Sequence, residues 1–424
     1  MNRSGLLMIG RSGLEVRPLP AFRDHAALGA QPGGRLVMRF LGFMVGVLLC
    51  VLAPARAAEI HQAQVEARVP WLPRAVAASD GRNHLAYELH ITSFDSGDGP
   101  LTLERLSVFA GDTVAPLLTV AGADLAGLLA QPPEDKADDG VAIGPGRRQV
   151  LFLWLTLPPG APPASLRHQL DFRTAAGQVQ RAGAVACAVA RTTALEIGPP
   201  LRGGDWLAVE GPGNPHSHHW GSMVAVDGEL TIPQRFAIDW FGLAGTGHSL
   251  RDRHDSLSAT RDEDWIGYGA EVLAVANGVV RNVRNDVPDG TPLAPQSVPD
   301  DLTARTLYGN FVILEIAPGV FAHYAHLRTG SVTVKVGDRV QAGAVIGRLG
   351  QTGAAGAPHL HFHLSDRPTF EQSEGLPFVI KGYTRQGKTN VEATFDVDTP
   401  VALEGSPRAI RHAMPLDGDV VRFP

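Results

Sequence analysis

The sequence predicts a mainly β protein with an N-terminal immunoglobulin-like β-sandwich followed by a second, antiparallel β-sheet domain, and three observations carry that expectation. Glycine (48) and proline (32) are abundant over 424 residues without a strict period, which excludes collagen and favours short strands joined by many turns. Period-two runs of apolar residues recur between about Glu59 and Leu195. With 44% hydrophobic and 19% charged residues the chain can bury real cores, so disordered and fibrous classes are excluded, and the length leaves room for two or three domains.

The first 57 residues read as a segment to be removed. Arg35 and Arg39 precede an uncharged apolar run from Leu41 to Ala53, and Ala55-Arg56-Ala57 supplies a small-x-small cleavage pattern. About 13 apolar residues are too few for the roughly 20 that span a bilayer, so a signal peptide cut near Ala57 is expected rather than a membrane span. Residues 1–37 resemble no domain, and Met38 is the expected start. The mature chain is then exported, periplasmic or extracellular. Cys50 leaves with the signal and Cys187 stands alone, so no intramolecular disulfide is expected.

Charge excludes one class of partner. The first 57 residues hold seven basic against two acidic groups, which leaves 30 basic against 41 acidic in the remainder. A nucleic-acid binder needs the opposite balance or a concentrated basic stripe, and neither is present.

Residues 58–198 are the expected sandwich. Leu85, Tyr87, Leu89 and Ile91 alternate with Ala86, Glu88, His90 and Thr92, giving one apolar and one mostly polar face. The run Val150 to Leu157 is apolar on both faces, as in a central buried strand. Asp95 to Pro100 and Pro158 to Pro163 separate such runs. The histidines here are scattered, and a positioning or binding module is expected.

A linker at Pro199 to Trp206 opens the second domain, expected at 199–370, with closing strands and a surface tail at 371–424. Ten of the 16 histidines lie between His216 and His363. If His359 to Leu364 is a strand, His359, His361 and His363 share one face while Leu360, Phe362 and Leu364 pack into a core. Two imidazoles aimed into one cleft can serve a metal and a reacting water together. In Phe321-Ala-His-Tyr-Ala-His-Leu327, regular alternation puts Tyr324 and His326 on one side and His323 on the other, so only one of the two histidines can point at the cleft. Asp239, at the end of the apolar run Gln234 to Trp240, requires a cation or donors, because a buried unpaired carboxylate costs several kcal/mol, on the order of a lost fold margin.

Together these segments resemble the LytM/lysostaphin-type zinc metallopeptidases. The likeness runs over about residues 205–370 and includes Gly269 to Val280, Tyr308-Gly-Asn-Phe, Tyr324-Ala-His-Leu327, Val336 to Gly347, Gly350-Gln-Thr-Gly353 and His359-Leu-His-Phe362, in the family's order. It implies a small antiparallel sheet of the duplicated hybrid motif kind, a zinc cofactor, and hydrolysis of peptide bonds in peptidoglycan by metal-activated water. Carried over by position, it makes Asp239 and His361 zinc ligands, His326 and His359 the catalytic histidines, and Asn310 and Tyr324 substrate contacts. The usual first ligand, a His four residues before the Asp, is replaced here by Arg235. The ligand is therefore expected from His216-Ser-His-His-Trp220, with His219 preferred and His218 as the alternative. His363 is a second departure, standing where the family has an acidic or other polar residue. A degenerate, inactive module that binds cell wall or regulates another hydrolase is the competing expectation.

Overall fold

The computed structural model describes Ile60–Pro424 except residues 98, 131–139, 255 and 296–298. The expected signal segment lies outside the described residues. Two sheets build the N-terminal part. One joins His61–Gln62, Val179–Ala188, Ser165–Arg173, Leu101–Ala110 and Pro116–Ala121, with Val141–Ile143 alongside. The other joins Val65–Arg68, Asn83–Ser93, Val76–Ala77 and Arg148–Thr156. The alternating residues Leu85, Tyr87, Leu89 and Ile91 meet Leu106, Val108, Leu166, Leu170 and Phe172 of the opposing sheet in one core, which is a two-layer packing.

Arg148–Thr156 is not the central strand its composition suggested. Among the described residues it pairs with Asn83–Ser93 alone. Its second apolar face is buried for another reason: Val150, Phe152, Val76 and Ala86 pack against Trp220, Ile232, Phe236 and Val379 of the second domain. The two-sided apolar pattern therefore marks a domain contact. For the same reason Glu88, on the face that alternation made polar, is 1% exposed.

The second domain is built on a 12-stranded sheet whose middle runs Asp205–Val209, Ile238–Leu243, Leu360–Ser365, Val320–Leu327, Asn310–Ala317 and Gly278–Arg284. The mainly β class thus holds for both parts. The expected boundary at residue 370 does not. Phe378–Lys388 and Asp419–Arg422 are members of this same sheet, and Asp419–Arg422 pairs with Asp205–Val209. Phe378, Ile380, Tyr383, Val421 and Phe423 fill the same core as Trp240, Leu360 and Phe362. The last residues close the sheet by adding these apolar side chains to its core. They also touch the sandwich, through Met414 N–H to Ala77 O at 2.8 Å and an Arg408 guanidinium to Ser79 O at 2.5 Å.

Candidate metal centre

The cluster forms where Ile238–Leu243 pairs with Leu360–Ser365, because Asp239 lies directly opposite His361. Residues opposite one another in an antiparallel pair share a face. Leu360, Phe362 and Leu364 point the other way, each 0% exposed in the main core, so burial of three large side chains fixes the register that turns His361 and His363 toward the cleft.

His219 arrives from elsewhere. Ser217 caps a short turn of helix, His218–Gly221, by accepting from the His219 N–H at 3.2 Å. The His219 ring donates from Nδ1 to Glu210 O at 3.0 Å, which leaves Nε2 free for the cluster. That Nε2 stands 3.3 Å from Asp239 Oδ1 and 3.1 Å from His361 Nδ1, and His361 Nδ1 is 2.9 Å from the same oxygen. A tetrahedral ion with bonds of about 2.05 Å has ligand–ligand edges of roughly 3.3 Å, so this triangle fits zinc with little adjustment. Two imidazole nitrogens and one carboxylate oxygen are also the donor set that zinc takes in hydrolytic sites. His218, His219 and Asp239 also bring ligand atoms within 4.8 Å of one another. The His218 ring, however, is partly exposed and turned to Glu210 Oε2 at 3.2 Å, so the shorter contacts select His219.

Each histidine at the cluster has one ring nitrogen committed. His359 donates from Nδ1 to Ala357 O at 2.7 Å, and its Nε2 lies 3.4 Å from Asp239 Oδ1. Its ring stacks on Phe241 at 5.1 Å. His326 donates from Nδ1 to Thr352 O at 2.8 Å, with its ring 4.8 Å from that of His359. A carbonyl only accepts, so both rings carry hydrogen on Nδ1 and keep a basic Nε2. His361 Nε2 lies 2.9 Å from His363 Nδ1, while its Nδ1 faces Asp239 Oδ1 at 2.9 Å.

The electrostatics follow from burial. Burial works against a charged His219, but the Asp239 carboxylate and the Glu210 carbonyl and side chain outweigh it and raise its pKa. Burial likewise opposes Asp239 ionisation, yet His219 and His359 hold its carboxyl well below the usual range. Burial, then the neighbouring His359 and His361, push His326 well below 6.5, and burial brings His361 to about 4. His326 is thus a neutral base near pH 7.

Three expectations need correction. Alternation placed Tyr324 beside His326, but Tyr324 pairs with Phe362, is 0% exposed, and its hydroxyl accepts from the Val275 N–H at 2.9 Å. It is a core residue, not a substrate contact. His326 reaches the cleft because its φ of +61° breaks the alternation, so both His323 and His326 lie on the His361 side. Asn310 is also 0% exposed. It bonds Val287 N–H and O and Leu327 O, so it ties a loop to the sheet rather than facing the cleft. His323 stacks on His363 at 4.4 Å beneath the site, while His216 is exposed and His248 bonds Thr399 O at 2.9 Å, outside it. Sequence reasoning gave Gln234 no role, yet its amide lies 3.2 Å from His361 Nε2. Nor did it give one to Arg235 beyond noting a missing ligand; a lone arginine in an otherwise apolar run was the available signal.

Residues 265–371 match Peptidase family M23, so the chain carries a domain of that family over this span. The matched residues include His326, His359 and His361 but begin after His219 and Asp239. Among similar proteins, the cell division protein DipM of Caulobacter vibrioides is 31% identical over 132 residues, covering 31% of this chain and 17% of that protein. The glycyl-glycine endopeptidase ALE-1 of Staphylococcus capitis is 41% identical over 118 residues, covering 27% of this chain and 32% of that protein. The chain therefore spans a third or less of these relatives. A zinc-containing peptidase structure from Vibrio cholerae is 15% identical, covering 74% of this chain and 83% of that one, with a TM-score of 0.21.

Proposed function

We propose that the chain is an exported zinc metalloendopeptidase that hydrolyses peptide bonds of peptidoglycan. The observation that carries this reading is the convergence of His219 Nε2, Asp239 Oδ1 and His361 Nδ1 within 2.9–3.3 Å of one another, beside the imidazoles of His326 and His359, each anchored through Nδ1 to a backbone carbonyl. Likeness to a glycyl-glycine endopeptidase supports the choice of a peptide bond.

His219, Asp239 and His361 would hold the ion. Zinc bound there supplies Lewis-acid polarisation of a carbonyl and makes a water easier to deprotonate. The protein contributes orientation and proton handling. Glu210 O and His363 fix the ligand rings, and Thr352 O and Ala357 O fix His326 and His359 so that each presents a basic nitrogen to the cleft. The Nε2 of either can take the proton of the attacking water and, once protonated, hand it to the departing amine, a contribution worth about 10²–10⁴ in rate. Phe241 on His359 and Tyr308 near His361 wall this corner with aromatic rings, which limits solvent around the proton path.

The test is direct. The full chain should hold one equivalent of zinc and release soluble muropeptides from purified sacculi, and a chelator should abolish release. Zinc without release would select the inactive, wall-binding reading; neither zinc nor release would reject the metal centre.

A further inference from the structure

The candidate metal centre draws on three segments, and one carboxylate from the other domain bonds residues of two of them and reaches the third through Arg235. Glu88 belongs to the sandwich strand Asn83–Ser93 and is 1% exposed. Its Oε1 accepts from Trp220 Nε1 at 2.5 Å and from Arg235 Nε at 2.9 Å, and its Oε2 accepts from Arg235 Nη2 at 2.8 Å. Trp220 follows His219 on the same turn of helix. Its ring meets Phe152 and Trp154 edge-on at 5.7 and 6.3 Å, both of them sandwich residues. Arg235 lies four residues before Asp239. Its third contact runs from Nη1 to Glu374 Oε2 at 2.5 Å, with Gly375 O at 3.4 Å. Gly375 pairs with Ser365 on the strand that carries His361.

We infer that Glu88 is a positioning residue for the metal centre, and that the sandwich is thereby a structural part of the site. Through Trp220 it seats the His219 turn; through Arg235 it locks the approach to Asp239 and, by way of Glu374 and Gly375, the edge of the His361 strand. Bidentate arginine–carboxylate geometry is directional, so it holds angles as well as distances. A ligand recruited from outside the sheet requires such a hold. His219 sits on a turn of four residues, too short to be rigid alone. Arg235 thus takes a bracing role at the position where the resemblance expects a ligand, and the brace reaches the sandwich.

This inference rests on the zinc reading, and the experiment separates the two. In the full chain, Glu88→Gln keeps the side-chain shape and one acceptor but loses the charge that matches Arg235, while Trp220→Phe keeps the packing and loses the N–H. Each apo protein is titrated with zinc against a competing chelator and with cobalt while its d–d absorption is recorded; circular dichroism and a thermal scan follow the fold. We expect zinc affinity to fall about 10–100-fold in either variant, with altered cobalt bands and a retained fold, and the double variant to lose less than the product of the two. Wild-type affinity and spectrum in a folded Glu88→Gln protein would overturn the inference and leave the zinc reading standing. If Glu88→Gln does not fold, Trp220→Phe decides by the same criterion. A wild-type chain that takes up no zinc removes both.

Discussion

Replacing His219 and His218 by alanine, one at a time, tests the least expected feature of the site. The His219 Nε2 is 3.3 Å from Asp239 Oδ1 and 3.1 Å from His361 Nδ1, so it completes the donor triangle. Structural zinc held by four protein ligands binds with roughly 10–16 kcal/mol, or about 3 kcal/mol per ligand, so His219→Ala should weaken zinc on the order of 100-fold. His218 is a partly exposed ring paired with Glu210. Solvent screening limits that pair to about 0.5 kcal/mol, so His218→Ala should change zinc affinity by less than about 3-fold. Competition titration with a chromogenic chelator reads both numbers, and a thermal scan of each apo protein separates ligand loss from unfolding. Equal losses in the two variants, or a greater loss in His218→Ala, would refute the assignment of the first ligand.

The remaining predictions concern the base, the loop that orients it and the buried ion cluster. His359→Ala should keep zinc within a few-fold and lose about 10²–10⁴ in turnover, whereas His361→Ala should lose both; equal zinc loss would overturn the division of roles. Gly353→Ala should cost about 2–4 kcal/mol, read by denaturant unfolding, because its φ is +74° and a Cβ would lie 2.3 Å from Gly309 N. It should also slow catalysis, since the adjacent Thr352 O orients His326; unchanged stability would contradict the backbone geometry. Burial, opposed by Arg235, raises the Glu374 carboxyl from 4.5 to about 7. The folded state then binds more protons at this group than the unfolded one between those values, so its contribution to stability is fully present below pH 4.5 and is lost as pH rises to about 7, a change on the order of 3 kcal/mol. Glu374→Gln should flatten that part of the stability–pH curve measured on the apo chain, and an unchanged slope would remove Glu374 as its source.

The strand around His361 was legible because its two faces differ in kind: histidines on one, Leu360, Phe362 and Leu364 on the other. Asp239 was legible because a carboxylate in an apolar run demands a partner. His326 was found by resemblance, but for a geometric reason the periodicity could not supply, since alternation fails at its positive φ. Tyr324 and Asn310 show the opposite error: both match the pattern, and both are buried in packing or loop bonds that no local signal reveals.

By itself, the sequence determined the β class, the apolar faces that set each register, and the chemical character of the site, because these follow from residue type and period two. Which turn brings the first histidine to Asp239, which residues Arg235 pairs with, and why Val150 to Trp154 is apolar on both faces were decided only in the tertiary structure. These include contacts between segments as far apart in the chain as Glu88 and Arg235, 147 residues, and a side chain's partner at such separations is fixed by the packing of whole sheets rather than by its neighbours in the chain.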